Sequence, residues 1–153
     1  MSGESISAGA PGEPAENELR DLSREECLEL LAATRFGRLA VCAGEGAPVV
    51  RPVNYVFDER SQSVVFRTAP GSKLHALIRS AQAAFEIDDA RPQQRTGWSV
   101  IIVGVTEEVS NPSEIRRLEG IGVDPWGPGE KAHWVRIRAW TVSGRRVAPA
   151  TPA

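Results

Sequence analysis

The chain has 153 residues, 41% of them hydrophobic and 25% charged, with a formal net charge of −2. That length suits one domain, whose core forms without disulfide staples. So slight a charge draws the chain neither to nucleic acid nor to an anionic membrane, although a few clustered Arg and Lys suffice to hold one phosphate.

The cysteines, Cys27 and Cys42, are too few for a disulfide framework. Both read as buried free thiols, since free Cys behaves as a small apolar residue. His75 and His133 are the only histidines, and neither has a second ligand at zinc spacing along the chain. No metal site and no His-based triad are therefore expected. The N-terminal segment is polar and acidic, without the basic start and apolar run of a signal peptide. No stretch approaches ~20 apolar residues, so no membrane span is expected and the cytosol is the expected compartment.

In chain order, residues 1–18 read as a disordered tail, 19–147 as one folded unit and 148–153 as a loose end. A helix opens the unit. Ser23 is its N-cap, Glu26 completes a capping box, and Leu22 stands where a hydrophobic staple would. Cys27, Leu28, Leu30 and Leu31 form the apolar face, and Gly37 is expected to close the region. FGRLAVC then turns to a strand period. GEGA (Gly44–Ala47) is a tight turn before PVVRPVNYVFD, in which Val49, Arg51, Val53, Tyr55 and Phe57 share a face. Pro52 demotes that run to an edge or a bulge.

Asp58–Gln62 is a second turn and SVVFRT the third strand. Pro70 and Gly71 break it, and Ser72 starts a short helix carrying Leu74, Leu77 and Ile78. AQAAFEIDD and GWSVIIVGVTEEV are the next strands. Asn111 and Pro112 open another helix, with Pro112 at its favourable first position. A Gly/Pro loop leads to the last run, HWVRIRAWTVSGRRV. Strands in this order predict a mainly β, antiparallel barrel with a few helices. No GxGxxG follows the first strand, which argues against a dinucleotide fold of the Rossmann kind.

Three segments carry chemistry. FRTAPGSK has the composition of a phosphate trap: the planar fork of Arg67, the mobile charge of Lys73, the hydroxyls of Thr68 and Ser72, and the N–H groups of a helix start. In RPVNYVFD, Pro52 interrupts pairing, and Asn54 and Tyr55 offer polar groups to a flat heterocycle. In GWSV, Gly97 admits a close backbone and Trp98 is a large flat surface. Trp126 lies in the Gly/Pro loop as a cover for a pocket. Trp134, Arg136, Arg138 and Trp140 share a parity that suits a dimer face or an anion site, whereas Arg145 and Arg146 read as surface charges.

In order, FGRLAV, RPVNYVFD, VVFRTAPGSK, FEIDD, GWSVIIVG, PWGPG and SGRRV resemble the pyridoxamine 5′-phosphate oxidase-like flavoproteins over nearly the whole folded unit. The resemblance implies a six-stranded split β-barrel that dimerises with itself and holds FMN between subunits. It implies that Arg67, Thr68, Ser72 and Lys73 hold the phosphate. Pro52, Val53, Asn54 and Tyr55 would lie along the ring, with Phe66 contributing backbone. Trp98 and Ser99 would come from the other subunit.

The C-terminal Arg/His set of true pyridoxamine phosphate oxidases is missing, so pyridoxal phosphate synthesis is not expected. The resemblance points to a flavin-dependent oxidoreductase acting on a small organic substrate. Its alternatives are the deazaflavin F420, with Arg35, Arg38 and Arg51 toward an acidic tail, or a non-catalytic flavin or haem carrier or sensor, with His75 as haem ligand.

Overall fold

A computed structural model describes residues 16–42, 46–71, 75–76, 78, 82–125 and 132–150. Nine strands, and two helices of eight residues or more, occur among them: β1 (Asn17–Asp21), α1 (Arg24–Ala33), β2 (Phe36–Val41), β3 (Val49–Asn54), β4 (Val56–Asp58), β5 (Ser63–Thr68), β6 (Gln82–Arg91), β7 (Thr96–Val109), α2 (Pro112–Glu119), β8 (His133–Arg138) and β9 (Thr141–Pro149).

The six expected strand runs are all present. Two of them are broken at corners, which raises the count. PVVRPVNYVFD becomes β3 and β4, separated by Tyr55 alone, and the last run becomes β8 and β9 around Ala139–Trp140. β1 is the strand the pattern did not show. Its five residues are exposed and polar apart from Leu19, so no alternation marks it. It pairs antiparallel with β9, Asn17 opposite Pro149 and Asp21 opposite Arg145. Strand pairing thus reaches into both segments expected to be loose.

All pairings are antiparallel, and the strand path runs β3-β2-β6-β7-β8-β5-β4, with β9 also on β7. The two ends of that path, β3 and β4, are consecutive in the chain. The sheet must therefore curl back on itself, and Tyr55 is where it meets. The Tyr55 N–H donates to the Arg35 carbonyl at 2.9 Å and its hydroxyl to the Leu31 carbonyl at 2.8 Å. Its ring meets Phe85 edge-on at 4.8 Å.

Inside the curl, Leu39, Val64, Phe66, Phe85, Ile87, Val100, Ile102, Val135 and Ile137 are buried with Cys27 and Leu31 of α1. A second core, with Val65, Val109, Leu118 and Trp134, lies under α2 on the other side of β5 and β8. The capping box of α1 is formed in both directions, and Asn111 caps α2, with Pro112 at its start.

Three expectations are corrected. Gly37 does not end α1, which stops at Ala33. It lies inside β2, where a Cβ would sit 2.5 Å from the Phe85 ring and 2.8 Å from the Glu86 carbonyl oxygen. Cys42 is exposed, one residue beyond β2, while Cys27 is buried as expected. The Trp–Arg–Arg–Trp parity does not make one uniform face: Trp134 is buried and Trp140 is 77% exposed. Arg136 and Arg138 meet Glu107 and Glu114 within the chain. Gly44 and Glu45 of the expected tight turn, and Trp126, lie outside the described residues.

Candidate functional site

Strand register sorts the expected site residues by face, because neighbouring residues of a strand point to opposite sides. Pro52 stands opposite Arg38, Asn54 opposite Phe36 and Ser99 opposite Asp88. Continued through Glu86, these positions share the outer face with Ile101, Val103 and Val105. Val53, Tyr55 and Trp98 take the inner parity, and Phe66 is fully buried in the core. Tyr55 therefore offers no side chain to a ligand, since its ring and hydroxyl are both committed within the core. Pro52 is on the edge strand, as its missing N–H requires.

Arg67 and Thr68 end β5 on opposite faces. Arg67 stands opposite Trp134, its guanidinium 4.9 Å from the indole centroid. Its Nε is buried and has no hydrogen-bond partner among the described residues. A buried guanidinium N–H without an acceptor costs free energy, and an anion is the group that would relieve it. Thr68 stands opposite His133 on the inner face, with its Oγ1 3.3 Å from His75 Nδ1. Ser72 and Lys73, expected beside them, lie outside the described residues. β3 ends at Asn54 beside the β4–β5 pair, whose register, Val56 opposite Val65, runs toward Phe66 and Arg67. The end of β3 and the end of β5 are thus drawn to one part of the barrel.

Trp98 and Ser99 are elsewhere. Trp98 stands between Asp89 of β6 and Arg146 of β9 and lines a cleft of about 370 Å³ with Arg91, Thr96 and Val147. Arg146 Nε is a second buried guanidinium atom without a partner among the described residues. Arg146 therefore lines a cleft and is more than a solvated surface charge. Gly97 admits a close backbone as expected: a Cβ there would be 2.7 Å from the Asp89 carbonyl oxygen, so the approaching backbone is its own sheet partner.

The two groups sit at opposite ends of β7. Its start carries Trp98, and its end, Val109, stands opposite Trp134, the residue under Arg67. Eleven residues at about 3.3 Å each put the two ends on the order of 35 Å apart along the strand.

Glu86 is half-buried on the outer face, with Oε1 buried and unpartnered among the described residues. Burial, and then the neighbouring Asp88, push its carboxyl up to about 7, against the pull of Arg38 at 4.0 Å. At the other extreme, Arg117 grips Asp58 with two bonds of 2.9 and 2.7 Å and holds that carboxyl at about 2. The F420-tail candidates are engaged locally: Arg38 with Asp88 at 3.3 Å, and Arg35 and Arg51 with backbone carbonyls.

Sequence spacing found no partners for the histidines. The fold brings His75, Glu108 and His133 together from three separate segments, with one donor atom from each within 4.8 Å of the others. The register Thr68 opposite His133 joins residues 65 apart, which no local motif could reveal.

A family model described as pyridoxamine 5′-phosphate oxidase matches residues 23–146. The Mycobacterium tuberculosis protein Rv0080 is 35% identical over 136 residues, covering 85% of this chain and 86% of that one. Among solved structures, the FAD binding protein from Mycobacterium smegmatis is 33% identical with a TM-score of 0.71, over 83% of this chain and 98% of that one. A FAD-binding protein from Mesorhizobium loti is 27% identical with a TM-score of 0.67, over 86% and 98% respectively.

Proposed function

The chain belongs to the pyridoxamine 5′-phosphate oxidase family, with its split-barrel fold, and on that basis we propose that it is a cytosolic flavin-dependent oxidoreductase working as a homodimer. The observation that carries the reading is Arg67. Its guanidinium lies over the Trp134 ring at the end of β5, with a buried Nε that has no acceptor among the described residues, and a flavin phosphate would provide one. The similar structures named for FAD binding support a flavin over the deazaflavin F420. FMN is the smallest flavin that carries the phosphate Arg67 would accept.

A flavin, when bound, supplies hydride acceptance and release, so the protein needs to position it more than to act as acid or base. Arg67 would hold the phosphate, with the hydroxyl of Ser72 and the charge of Lys73, whereas Thr68, expected beside them, is turned to the opposite strand face toward His75. Pro52, Val53 and Asn54, on the edge strand, would lie along the ring through backbone and amide groups. Trp98 and Ser99 would come from a second copy, because they lie at the far end of β7 from Arg67. The apolar row Ile101, Val103 and Val105, exposed by 39 to 46%, gives that copy a surface to cover. The substrate would be a small organic molecule taking hydride at the exposed ring.

The test is an absorbance spectrum of the purified protein, followed by separate fluorescence titrations with FMN, FAD and F420, with Arg67→Ala beside wild type. Tight binding of FMN or FAD that weakens at least ~10-fold in the variant supports the reading. Tight binding of F420 alone would move the function to deazaflavin chemistry, and binding of none of them would overturn it.

A further inference from the structure

We propose that His75, Glu108 and His133 form a binding site for one divalent transition-metal ion of the zinc type, separate from the flavin site. His133 opens β8 and Glu108 is near the end of β7. His75 belongs to the segment after β5. The three come from different parts of the chain, and one donor atom from each lies within 4.8 Å of the others. The His133 Nδ1 to Glu108 Oε1 distance is 2.6 Å, and the two imidazole rings lie 4.1 Å apart between centroids, tilted by 36°.

The donor set decides the kind of ion. Two imidazoles and one carboxylate suit zinc, cobalt, nickel or ferrous iron, whereas calcium and magnesium want oxygen ligands. Ligand bonds of about 2.0–2.2 Å place neighbouring donors about 3.3 Å apart in a tetrahedral shell. The His133–Glu108 contact would open by about 0.7 Å and the other pairs would close by up to about 1.5 Å, which side-chain rotation can supply. A dication between the three donors would engage them all at once.

The surroundings fit. Thr68 Oγ1 lies 3.3 Å from His75 Nδ1, the sort of outer contact that fixes ring direction and tautomer at metal sites. His75 and His133 are half-buried, and Glu108 is exposed, so an ion could enter from one side and keep water or a substrate atom as a further ligand. His133 and Thr68 stand on the opposite strand face from Arg67 and Trp134. The ion and the flavin phosphate would sit on the two sides of the same strand ends.

Cobalt(II) is the probe. Tag-free, full-length protein is stripped with chelator and titrated with Co²⁺ in the absence of flavin, reading the visible d–d bands, and Zn²⁺ is then added as competitor. The expected result is saturation near one ion per chain, displaced by Zn²⁺. Affinity should fall at least ~100-fold in His75→Ala and in His133→Ala and about 10-fold or more in Glu108→Gln. His133→Gln, which keeps a polar contact for Glu108, and circular dichroism of each variant separate loss of ligand from loss of fold. Cys42→Ser, which removes the exposed thiol, should change nothing. Absent bands, binding unaltered in the histidine variants, or binding abolished in Cys42→Ser would overturn the site. None of these outcomes bears on whether a flavin binds.

Discussion

Arg67 lies across Trp134, its guanidinium carbon 4.9 Å from the ring centroid, at the point where β5 leaves the sheet. The indole face attracts the guanidinium, whose planar fork of donors a lysine cannot reproduce. Arg67→Lys should therefore keep the charge and still weaken flavin binding about 10-fold, read by flavin fluorescence. Wild-type affinity in that variant would show that charge alone suffices.

Asp58 is 2% exposed, and Arg117 meets both of its oxygens from α2. The carboxyl titrates lower in the folded chain, at about 2, than its ordinary 3.8. Its contribution is thus present at neutral pH and lost as pH falls from about 4 toward 2. Asp58→Asn should cost about 2–3 kcal/mol at pH 7, with Arg117 still 23% exposed and paired with Glu114. Urea unfolding at pH 7 and at pH 3 checks this: the gap between wild type and variant should narrow at the lower pH.

Glu86 has the opposite sign. Its pKa is raised from the ordinary 4.5 to about 7, chiefly by burial. Between those values the folded chain keeps a proton that the unfolded chain has released, so stability falls as pH rises through that window. Glu86→Gln should remove that slope and stabilise the chain at pH 8 by on the order of 2 kcal/mol. Parallel slopes of Tm against pH in wild type and variant would refute it.

Val103, 46% exposed, stands in the middle of the outer apolar row. Val103→Asp should give a folded monomer in sedimentation velocity, with flavin affinity lost together with the dimer. A dimer that survives the charge would place the subunit contact on another face.

Much of the barrel was legible because its signals are local. The capping box at Ser23 and Glu26, the Asn111–Pro112 start of α2 and all six strand runs depend on residues close in sequence. What escaped depends on distant partners. β1 has no apolar alternation and exists through pairing with β9. Gly37 has the look of a helix stop, but its missing side chain makes room for Phe85, 48 residues on. Of the candidate site, Arg67 stands out through its neighbours in sequence. The inward turn of Tyr55 follows from the corner between β3 and β4. The approach of His75 and Glu108 to His133 follows from strand register, which spacing along the chain does not encode.

The central claim is that one flavin site takes Arg67 from one copy and Trp98 from another. Arg67→Ala and Trp98→Leu proteins, each verified to fold, are mixed, allowed to exchange subunits, and titrated with FMN or FAD. If the site spans two copies, half of the dimers become mixed and each regains one whole site, so binding returns to about a quarter of wild-type capacity. If both residues served a site within one chain, every site in the mixture would stay defective, and no recovery on mixing would contradict the account.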